Sequence, residues 1–339
     1  MKEFQKILIS RTDAIGDLLL TLPMVDVIKQ NFPNTKVYIL GQGNNQPIVQ
    51  ASLKTDGFLN WTELAQMPEN DSIKRLKKEK FDVIIHVFPN KKIAKLAKKA
   101  KIPYRIGTSR RFYHWLTCNK SVNLSRKKSD LHETQLNLKL LKPLKINTEY
   151  DLQQLEDFGK IKPFAKLPFE VEKMLNKEKQ RVIIHPKSKG SARNWDIQNF
   201  VILSKMLIKN GFDVYVTGTE EEGNRIKQEL GNEIPNVYNI TGQLNLAELI
   251  TFISKCDALV AASTGPLHIA SAVGINAVGI YPPIRPMHPG RWRPIGKDSS
   301  VLCIDKECDK CRKSNFCECM QAITPEMVFQ HIKEYILIK

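Results

Sequence analysis

Short apolar runs alternate with amphipathic stretches along the first half of the chain. The runs KILIS (6–10), KVYIL (36–40) and FDVIIHVF (81–88) have the length and the β-branched content of buried strands. Between the first two runs, the apolar residues from Leu18 to Lys29 follow a helical spacing. This alternation predicts βαβ units that form a parallel sheet.

The same alternation returns in the second half, where five strand-like runs are separated by helical segments. Such a series predicts a second, doubly wound sheet, whose ligands bind at the carboxyl ends of the strands. The predicted strands are RVIIHP (181–186), FDVYVTG (212–218), VYNITG (237–242), ALVAAS (258–263) and AVGIYP (277–282).

A charged region with two prolines, residues 149–180, separates the two halves and contains no long apolar run. A chain of 339 residues with 42% apolar content can form two cores of ordinary size. We therefore predict an α/β protein with two Rossmann-like, doubly wound domains over residues 1–165 and 178–322. A closing helix is predicted over 323–339, and it contains Pro325, a residue type favoured in the first helical turn.

The chain is strongly basic, with 52 Lys and Arg against 35 Asp and Glu and a formal charge of +17. That excess favours a polyanionic partner such as nucleic acid, an acidic lipid or a phosphorylated glycan; a basic surface without a partner is the alternative. No RNA-binding or helix-turn-helix signature accompanies the charge, so no nucleic-acid partner is predicted. No run approaches the roughly 18 apolar residues of a membrane span, and no signal peptide is recognisable, which predicts a cytoplasmic protein.

Five of the seven cysteines fall within residues 303–319, in the pattern C-x4-C-x2-C-x5-C-x-C. Reduced thiols are the default in a cytoplasmic protein. One C-x-x-C with a nearby C-x-C could hold zinc, but the usual second C-x-x-C or histidine pair is missing. The sequence therefore favours reduced structural thiols, and it predicts no metal and no cofactor.

The segment RTDAIGDLLLTLP (11–23) contains the first candidate for chemistry. A strand ends near Ser10, Gly16 permits a tight turn, and Asp17 begins the following helix. Taken alone, this aspartate is a helix cap, but at the carboxyl edge of a first strand it can accept a proton from a hydroxyl. Asp13 is a weaker second candidate. The G-x-G-x-x-G fingerprint is missing here, which removes the main support for a dehydrogenase.

The loop SKGSARNW, after the first strand of the second half, offers two cations. Lys189 and Arg193 lie with small residues between a strand and a helix, where side chains and backbone N–H groups can converge on a phosphate. The spacing is not that of a P-loop, and a polar surface loop is the alternative.

A second anion site is predicted where ALVAAS meets the next helix. Ser263, Thr264 and Gly265 begin that helix, and His268 lies one turn further on. Taken alone, the histidine is a packing residue.

An acidic loop follows the strand FDVYVTG. Glu221 or Glu222 could bind ribose hydroxyls, as acidic residues in such loops do in nucleotide sites. The alternative is that both are first-turn acids that stabilise the helix dipole.

Four ordered motifs together resemble glycosyltransferase family 9, the heptosyltransferases that build the inner core of bacterial lipopolysaccharide. They are KILISRTDAIGDLLLTLPMVDVIKQNFPNTKVYIL, HPKSKGSARNWDIQNFVILSKML, STGPLHIASAVGINAVGIYPP with RWRPIG, and CMQAITPEMV. The resemblance implies a GT-B architecture, in which two Rossmann-like lobes face each other across a cleft. It also implies that the N-terminal lobe binds the acceptor, that the C-terminal lobe binds the nucleotide sugar, and that the reaction inverts configuration without a metal.

The resemblance also implies roles for particular residues. The basic surface of the first half, which includes Arg110 and Arg111, would suit an anionic acceptor at the inner face of the inner membrane. The implied roles are Asp17 as the catalytic base, Arg193 at the donor phosphate or sugar, Thr264 and Gly265 with nearby His268 at the diphosphate, and Glu221 or Glu222 at the nucleoside.

Two departures from the family pattern concern the donor sugar. Ser263 stands where family members usually carry an aspartate, and Tyr281-Pro282-Pro283 replaces the usual Phe-Gly-Pro. The predicted function is therefore an inverting, metal-independent glycosyltransferase, with ADP-heptose as the expected donor and a lipid-linked saccharide such as the lipopolysaccharide core as the acceptor. A different nucleotide sugar, or a non-catalytic protein that binds nucleotide sugars, is the alternative.

Overall fold

The computed structural model describes residues 3–175, 178–187, 193–230, 237–304, 308, 311 and 317–338. The chain divides into two compact units, Met1–Ile161 and Lys162–Lys339. Each unit is built on a six-stranded parallel sheet with helices, so the predicted α/β class is confirmed. The boundary between the units follows residue 161, whereas the sequence predicts a first domain of 1–165. The helix predicted over 323–339 belongs to the second unit.

The first unit places its first strand at the centre of the sheet. The strand order is β3-β2-β1-β4-β5-β6, so the chain runs outward to one side and then returns to fill the other. The point between β1 and β4 is therefore the topological switch of the sheet, beside which ligands bind in such folds. The strands are β1 (Lys6–Ser10), β2 (Lys36–Gly41), β3 (Gly57–Asn60), β4 (Val83–His86), β5 (Tyr104–Thr108) and β6 (Lys120–Val122).

In the described part of the first unit, seven α-helices connect these strands and an eighth follows β6. The one helix predicted from Leu18 to Lys29 is two helices, because the chain turns before Pro23, which lacks an amide hydrogen and begins the second one. The helices are α1 (Ile15–Leu19), α2 (Pro23–Asn31), α3 (Gln46–Ala51), α4 (Trp61–Gln66), α5 (Glu69–Lys78), α6 (Lys91–Lys99), α7 (Phe112–Thr117) and α8 (Glu133–Lys139).

Helix α6 shows how the basic sequence of this unit folds. Its apolar side, with Ile93 and Leu96, is buried in the core beside Leu8 and Ile84 of the sheet, and its lysines remain outside. The side chain of Asn90 caps the helix and accepts the amide of Lys92 at 2.9 Å. The lysine run is therefore one face of an ordinary amphipathic helix.

The second unit repeats the arrangement, with the order β12-β11-β10-β7-β8-β9. Here β7 is central, and the topological switch lies between β7 and β10. The strand predicted at 237–242 is only two residues long. The strands are β7 (Arg181–His185), β8 (Asp213–Val216), β9 (Tyr238–Asn239), β10 (Ala258–Ala262), β11 (Asn276–Ile280) and β12 (Ser299–Leu302).

The last helix of the second unit packs against its core. Val328, Phe329 and Ile332 are buried in one cluster with Phe200 and Leu203. The described helices are α9 (Phe169–Lys173), α10 (Ile197–Lys209), α11 (Glu220–Leu230), α12 (Leu246–Ser254), α13 (Gly265–Val273), α14 (Pro289–Trp292), α15 (Glu318–Gln321) and α16 (Pro325–Ile338). Within the part of the chain that the structure describes, no helix is long and apolar enough to cross a bilayer.

Candidate functional site

Asp17 lies in the first turn of α1, directly after the carboxyl end of β1. The chain leaves β1 through Arg11, whose amide donates to the carbonyl of Leu40 at 2.9 Å and thereby fixes the position of that residue. The guanidinium of Arg11 is almost fully buried and bonds to one carboxylate oxygen of Asp17. Its Nε also donates to Asp13 Oδ1 at 2.7 Å. The two sequence candidates for a base therefore share one buried arginine.

A third carboxylate completes this cluster and was missed by the sequence analysis. Glu133 of α8 is 1% exposed, and its Oε1 accepts from Nη1 of Arg11 at 3.0 Å and from Nε of Arg126 at 2.9 Å. Asn137, one turn further along α8, donates to the carbonyl of Leu20 at 3.1 Å. Helix α8 is thereby attached to the chain that follows α1, and it presents Glu133 to Arg11.

Burial raises the proton affinity of the two aspartates of this cluster. Asp13, Asp17 and Glu133 face two guanidinium groups, which leaves one formal negative charge when all are ionised. Burial raises the pKa of Asp13 to about 6, although Arg11 opposes the shift. Burial also raises the pKa of Asp17, with Arg11 again opposing and Glu133 adding to the rise. The Asp17 side chain remains 21% exposed, so a partly accessible carboxylate with raised proton affinity follows the central strand.

Two buried histidines, also missed by the sequence analysis, lie beside the end of β1. His86 ends β4 as the register partner of Ser10, and its ring lies 5.5 Å from that of His114 in α7. Among the described residues, both ring nitrogens of His86 and the hydroxyl of Ser10 have no hydrogen-bond partner. Burial lowers the pKa of His86 to about 3, so this ring is neutral near pH 7. His86 and Ser10 are therefore uncharged polar residues beside the carboxyl end of β1.

The predicted acceptor residues follow β5 at the same edge of the first sheet. Arg110 and Arg111 are both exposed. The Nε of Arg110 donates to Asn123 Oδ1 at 3.0 Å, and the residue lines an open pocket with Phe112 and Trp115. The structure thus places a cationic and aromatic surface beside the carboxyl end of β5.

The basic loop after β7 is described only in part, because Lys189 lies outside the described residues. Arg193 is half-buried, and its Nη2 donates to the carbonyl of Cys311 at 3.3 Å. Trp195 is fully buried and donates through Nε1 to the carbonyl of Ile323 at 2.9 Å. The end of this loop is therefore attached to the chain beyond β12 rather than free in solvent.

Thr264 is the N-cap residue of α13 and follows β10, the neighbour of β7 in the sheet. Its hydroxyl is buried and has no hydrogen-bond partner among the described residues, at the amino-terminal end of a helix with free N–H groups. Gly265 is the first residue of that helix. Burial lowers the pKa of His268 to about 4, so this side chain is neutral near pH 7. Ser263 precedes this turn, and the hydroxyl of Tyr281 donates to the carbonyl of Trp292 at 2.8 Å.

The two acidic candidates after β8 have different surroundings. Glu222 is buried, and its carboxylate accepts the amide of Thr219 at 2.7 Å while its own amide donates to the threonine hydroxyl at 3.2 Å. This reciprocal pair is a capping box, so Glu222 is bound at the start of the helix, in the first turn where the alternative reading placed it as an acid that stabilises the helix dipole. Glu221 is exposed and pairs with Arg225 at 2.6 Å. Its carboxylate is accessible to a ligand.

Comparisons with known proteins identify the family of the chain. The family model for glycosyltransferase family 9 (heptosyltransferase) matches residues 71–320. A putative glycosyltransferase from Haemophilus influenzae is 28% identical over 308 residues, which cover 86% of each chain. Lipooligosaccharide heptosyltransferase 2 from the same organism is 24% identical over 354 residues, which cover 97% of this chain and 99% of that protein.

A solved structure shares the fold. The glycosyl transferase of family 9 from Veillonella parvula superposes with a TM-score of 0.81 at 18% identity, over 99% of this chain and 98% of that one. This likeness supports the predicted GT-B class, and the family model extends over most of the chain. The chain therefore belongs to glycosyltransferase family 9, the heptosyltransferase family, and is a glycosyltransferase.

Proposed function

We propose that this protein transfers a heptose from ADP-heptose to an anionic, lipid-linked saccharide of the lipopolysaccharide core, with inversion of configuration and without a metal ion. The observation that carries the proposal is the Asp17 carboxylate. It is partly exposed at the topological switch of the first sheet, and burial raises its pKa. The names of relatives such as lipooligosaccharide heptosyltransferase 2 support the choice of heptose and of a lipid-linked acceptor.

The chemical step requires one base and one site for a leaving anion. Asp17 accepts the proton of an acceptor hydroxyl as that oxygen forms a bond to the anomeric carbon of the donor. The bond from the anomeric carbon to the phosphate oxygen breaks, and the electron pair leaves with the nucleoside diphosphate. A single displacement inverts the configuration. Arg11 fixes the orientation of Asp17, and protonation of that carboxylate brings the surrounding cluster to formal neutrality.

The leaving diphosphate requires positive charge and hydrogen-bond donors in the second unit. Such a site would be formed by the N–H groups that begin α13 and by the Thr264 hydroxyl, which has no hydrogen-bond partner among the described residues. Arg193 follows the adjacent strand. Lys189 is proposed to add a further cation. These groups would neutralise the developing charge in place of a metal ion, which supports a metal-independent reaction. Glu221, the accessible acid after β8, is proposed to bind the nucleoside.

The acceptor is proposed to lie against the cationic surface of the first unit. Phe112, Trp115 and Leu116 are between 63% and 73% exposed, and their spacing places them on one face of α7. Arg110 and Arg111 directly precede that helix. An exposed aromatic face beside cations suits the interface of an anionic membrane, and we propose peripheral contact with the inner face of the inner membrane.

A donor other than heptose is the second candidate, and Ser263 favours it. The serine occupies the position of the aspartate usual in the family and presents a neutral hydroxyl instead of a charge. A neutral hydroxyl and a carboxylate bind different patterns of sugar hydroxyls. The reaction class does not depend on this choice.

The test of the mechanism is the variant Asp17→Asn, which keeps the shape of the side chain but cannot accept a proton at neutral pH. We expect transfer from ADP-heptose to acceptor lipopolysaccharide, followed by mass spectrometry of the product, to fall by roughly 100- to 10,000-fold, the usual contribution of a general base. ADP binding, measured by calorimetry, should persist. The control Asp71→Asn changes an exposed carboxylate of α5 and should leave the rate unchanged. Undiminished turnover by Asp17→Asn would overturn the mechanism.

A further inference from the structure

Four cysteines of the second unit come together although they are spread over residues 308–319. The sulfur atoms of Cys308, Cys311 and Cys319 all lie within 4.8 Å of one another. The Sγ of Cys317 lies 3.2 Å from that of Cys311. The sulfur atom of Cys311 therefore lies within 4.8 Å of three others.

The distances between these sulfur atoms exclude a disulfide bond and are compatible with thiolate ligands around one metal ion. A disulfide bond requires about 2.05 Å between sulfurs, so the 3.2 Å contact is not a bond, and all four residues are free cysteines. Four thiolates around one zinc ion at about 2.3 Å each place neighbouring sulfurs about 3.8 Å apart. Thiols are weak hydrogen-bond partners, so their mutual contacts alone stabilise such a cluster little.

The cluster is largely closed from solvent. Cys311 and Cys317 are each 1% exposed and Cys319 is 6% exposed, and these three lie in the same core cluster as Met320, whereas Cys308 is half-buried at its edge. A closed site with four protein ligands is typical of structural metal ions, whereas catalytic sites keep an open position. The burial of these thiols therefore favours a structural role of the cluster over a role in the transfer reaction.

We propose that Cys308, Cys311, Cys317 and Cys319 bind one structural Zn²⁺ ion through four thiolates. Zinc accepts four sulfur ligands in tetrahedral geometry and undergoes no redox change. Its binding displaces the thiol protons to solvent, and no oxidant or reductant is required. The sequence favours reduced structural thiols because a second C-x-x-C or a histidine pair is missing. The structure supplies the second ligand pair from Cys317 and Cys319, at the start of α15.

The ion would stabilise the chain that carries Arg193. The carbonyl of Cys311 accepts from Arg193, and the side chain of Gln321 accepts the amide of Asp196 at 3.0 Å. A metal ion that holds residues 308–319 together therefore also supports the end of the loop after β7. This consequence for donor binding rests on the proposed function, whereas the metal site itself does not.

The first experiment measures the metal content of the full-length protein, purified under reducing conditions without chelators or a metal-affinity tag. We expect about one zinc per chain by inductively coupled plasma mass spectrometry. Cys319→Ser should lower that content at least severalfold. Cys303→Ser, in the same segment but outside the group of four, is the matched control and should retain the ion.

A second measurement does not depend on the folding of a variant. Exchange of the bound ion for Co²⁺ in the wild-type protein should produce the visible absorption bands of tetrahedral cobalt with four thiolates, and chelation should lower the melting temperature until zinc is restored. Metal-free protein with four freely titrating thiols, a Cys311–Cys317 disulfide by mass spectrometry, or stoichiometric iron would each overturn the assignment. None of these results depends on sugar transfer. A failure of the proposed metal site can therefore be told apart from a failure of the proposed function.

Discussion

At the scale of single residues, Thr264 has a buried hydroxyl that no described residue satisfies. Burial of an unpaired polar group costs about 1–3 kcal/mol in the free protein, and this cost is recovered when a ligand supplies the hydrogen bond. The hydroxyl lies where β10 meets the amino-terminal end of α13, a position that favours an anion. Removal of this hydroxyl is therefore expected to weaken the binding of a phosphate without destabilising the ligand-free protein.

We predict that Thr264→Val weakens ADP binding by roughly 10-fold, because the hydrogen bond is lost while the shape of the side chain is kept. The melting temperature of the ligand-free protein should stay the same or rise. Calorimetric titration with ADP and thermal unfolding measure the two effects. In the control Thr251→Val, the lost hydroxyl bonds to the carbonyl of Ala165 at 3.0 Å, so stability should fall and ADP affinity should not. Equal ADP affinity of Thr264→Val and the wild type would contradict the assignment.

At the scale of elements, α8 contributes to the environment of Asp17, the proposed base on α1. It presents Glu133 to Arg11, and that carboxylate acts on Asp17 in two ways. Its negative charge contributes to the raised pKa of Asp17, and it takes up part of the hydrogen-bonding capacity of Arg11. A helix more than a hundred positions away in sequence therefore adds to the effect of burial on how readily Asp17 accepts a proton.

We predict that Glu133→Gln moves the acidic limb of the kcat/KM profile toward lower pH. Asp17 acts as a base only when ionised, so activity falls as the pH falls through its pKa; removal of the Glu133 charge lowers that pKa. The maximal rate should also fall, because a weaker base transfers the proton less readily. The measurement is kcat/KM against pH, with Glu149→Gln, an exposed carboxylate near the end of α8, as the control. An acidic limb that does not move would show that Glu133 does not act on the base.

At the scale of the whole molecule, each unit places its proposed functional residues beside the topological switch of its own sheet. Asp17 follows the central strand of the first unit. Arg193 and Thr264 follow the two strands that flank the switch of the second. The same folding rule applied twice thus produces one unit suited to a base and an acceptor and another suited to a diphosphate.

We predict that ADP-heptose raises the melting temperature of the wild-type protein, whereas GDP-, UDP- and dTDP-sugars at the same concentration do not. A ligand at 100 times its dissociation constant stabilises the folded protein by about 2.7 kcal/mol. A panel of nucleotide sugars in a thermal-shift assay measures this. A larger shift with another nucleotide sugar would assign a different donor, as Ser263 suggests. The absence of any shift would contradict donor binding.

The two parallel sheets and the places of Asp17 and Thr264 at the ends of strands could be predicted from the amino-acid sequence alone. Apolar periodicity specifies strands and helices locally, and the turn after a strand lies at the ligand-binding edge whatever the details of packing. Local pattern was less reliable where a single residue interrupts it. Pro23 divides one predicted helix into two, and β9 is shorter than its apolar run.

Which side chains contact one another could be read only from the tertiary structure. Arg11 and Glu133 are 122 positions apart, and no local pattern encodes their ion pair. The contacts among Cys308, Cys311, Cys317 and Cys319 likewise depend on how the chain after β12 packs on the second core. The capping role of Glu222, rather than of Glu221, follows from the exact start of α11. Elements arise from short-range periodicity, whereas a site is a set of long-range contacts, which exist only once the cores have packed.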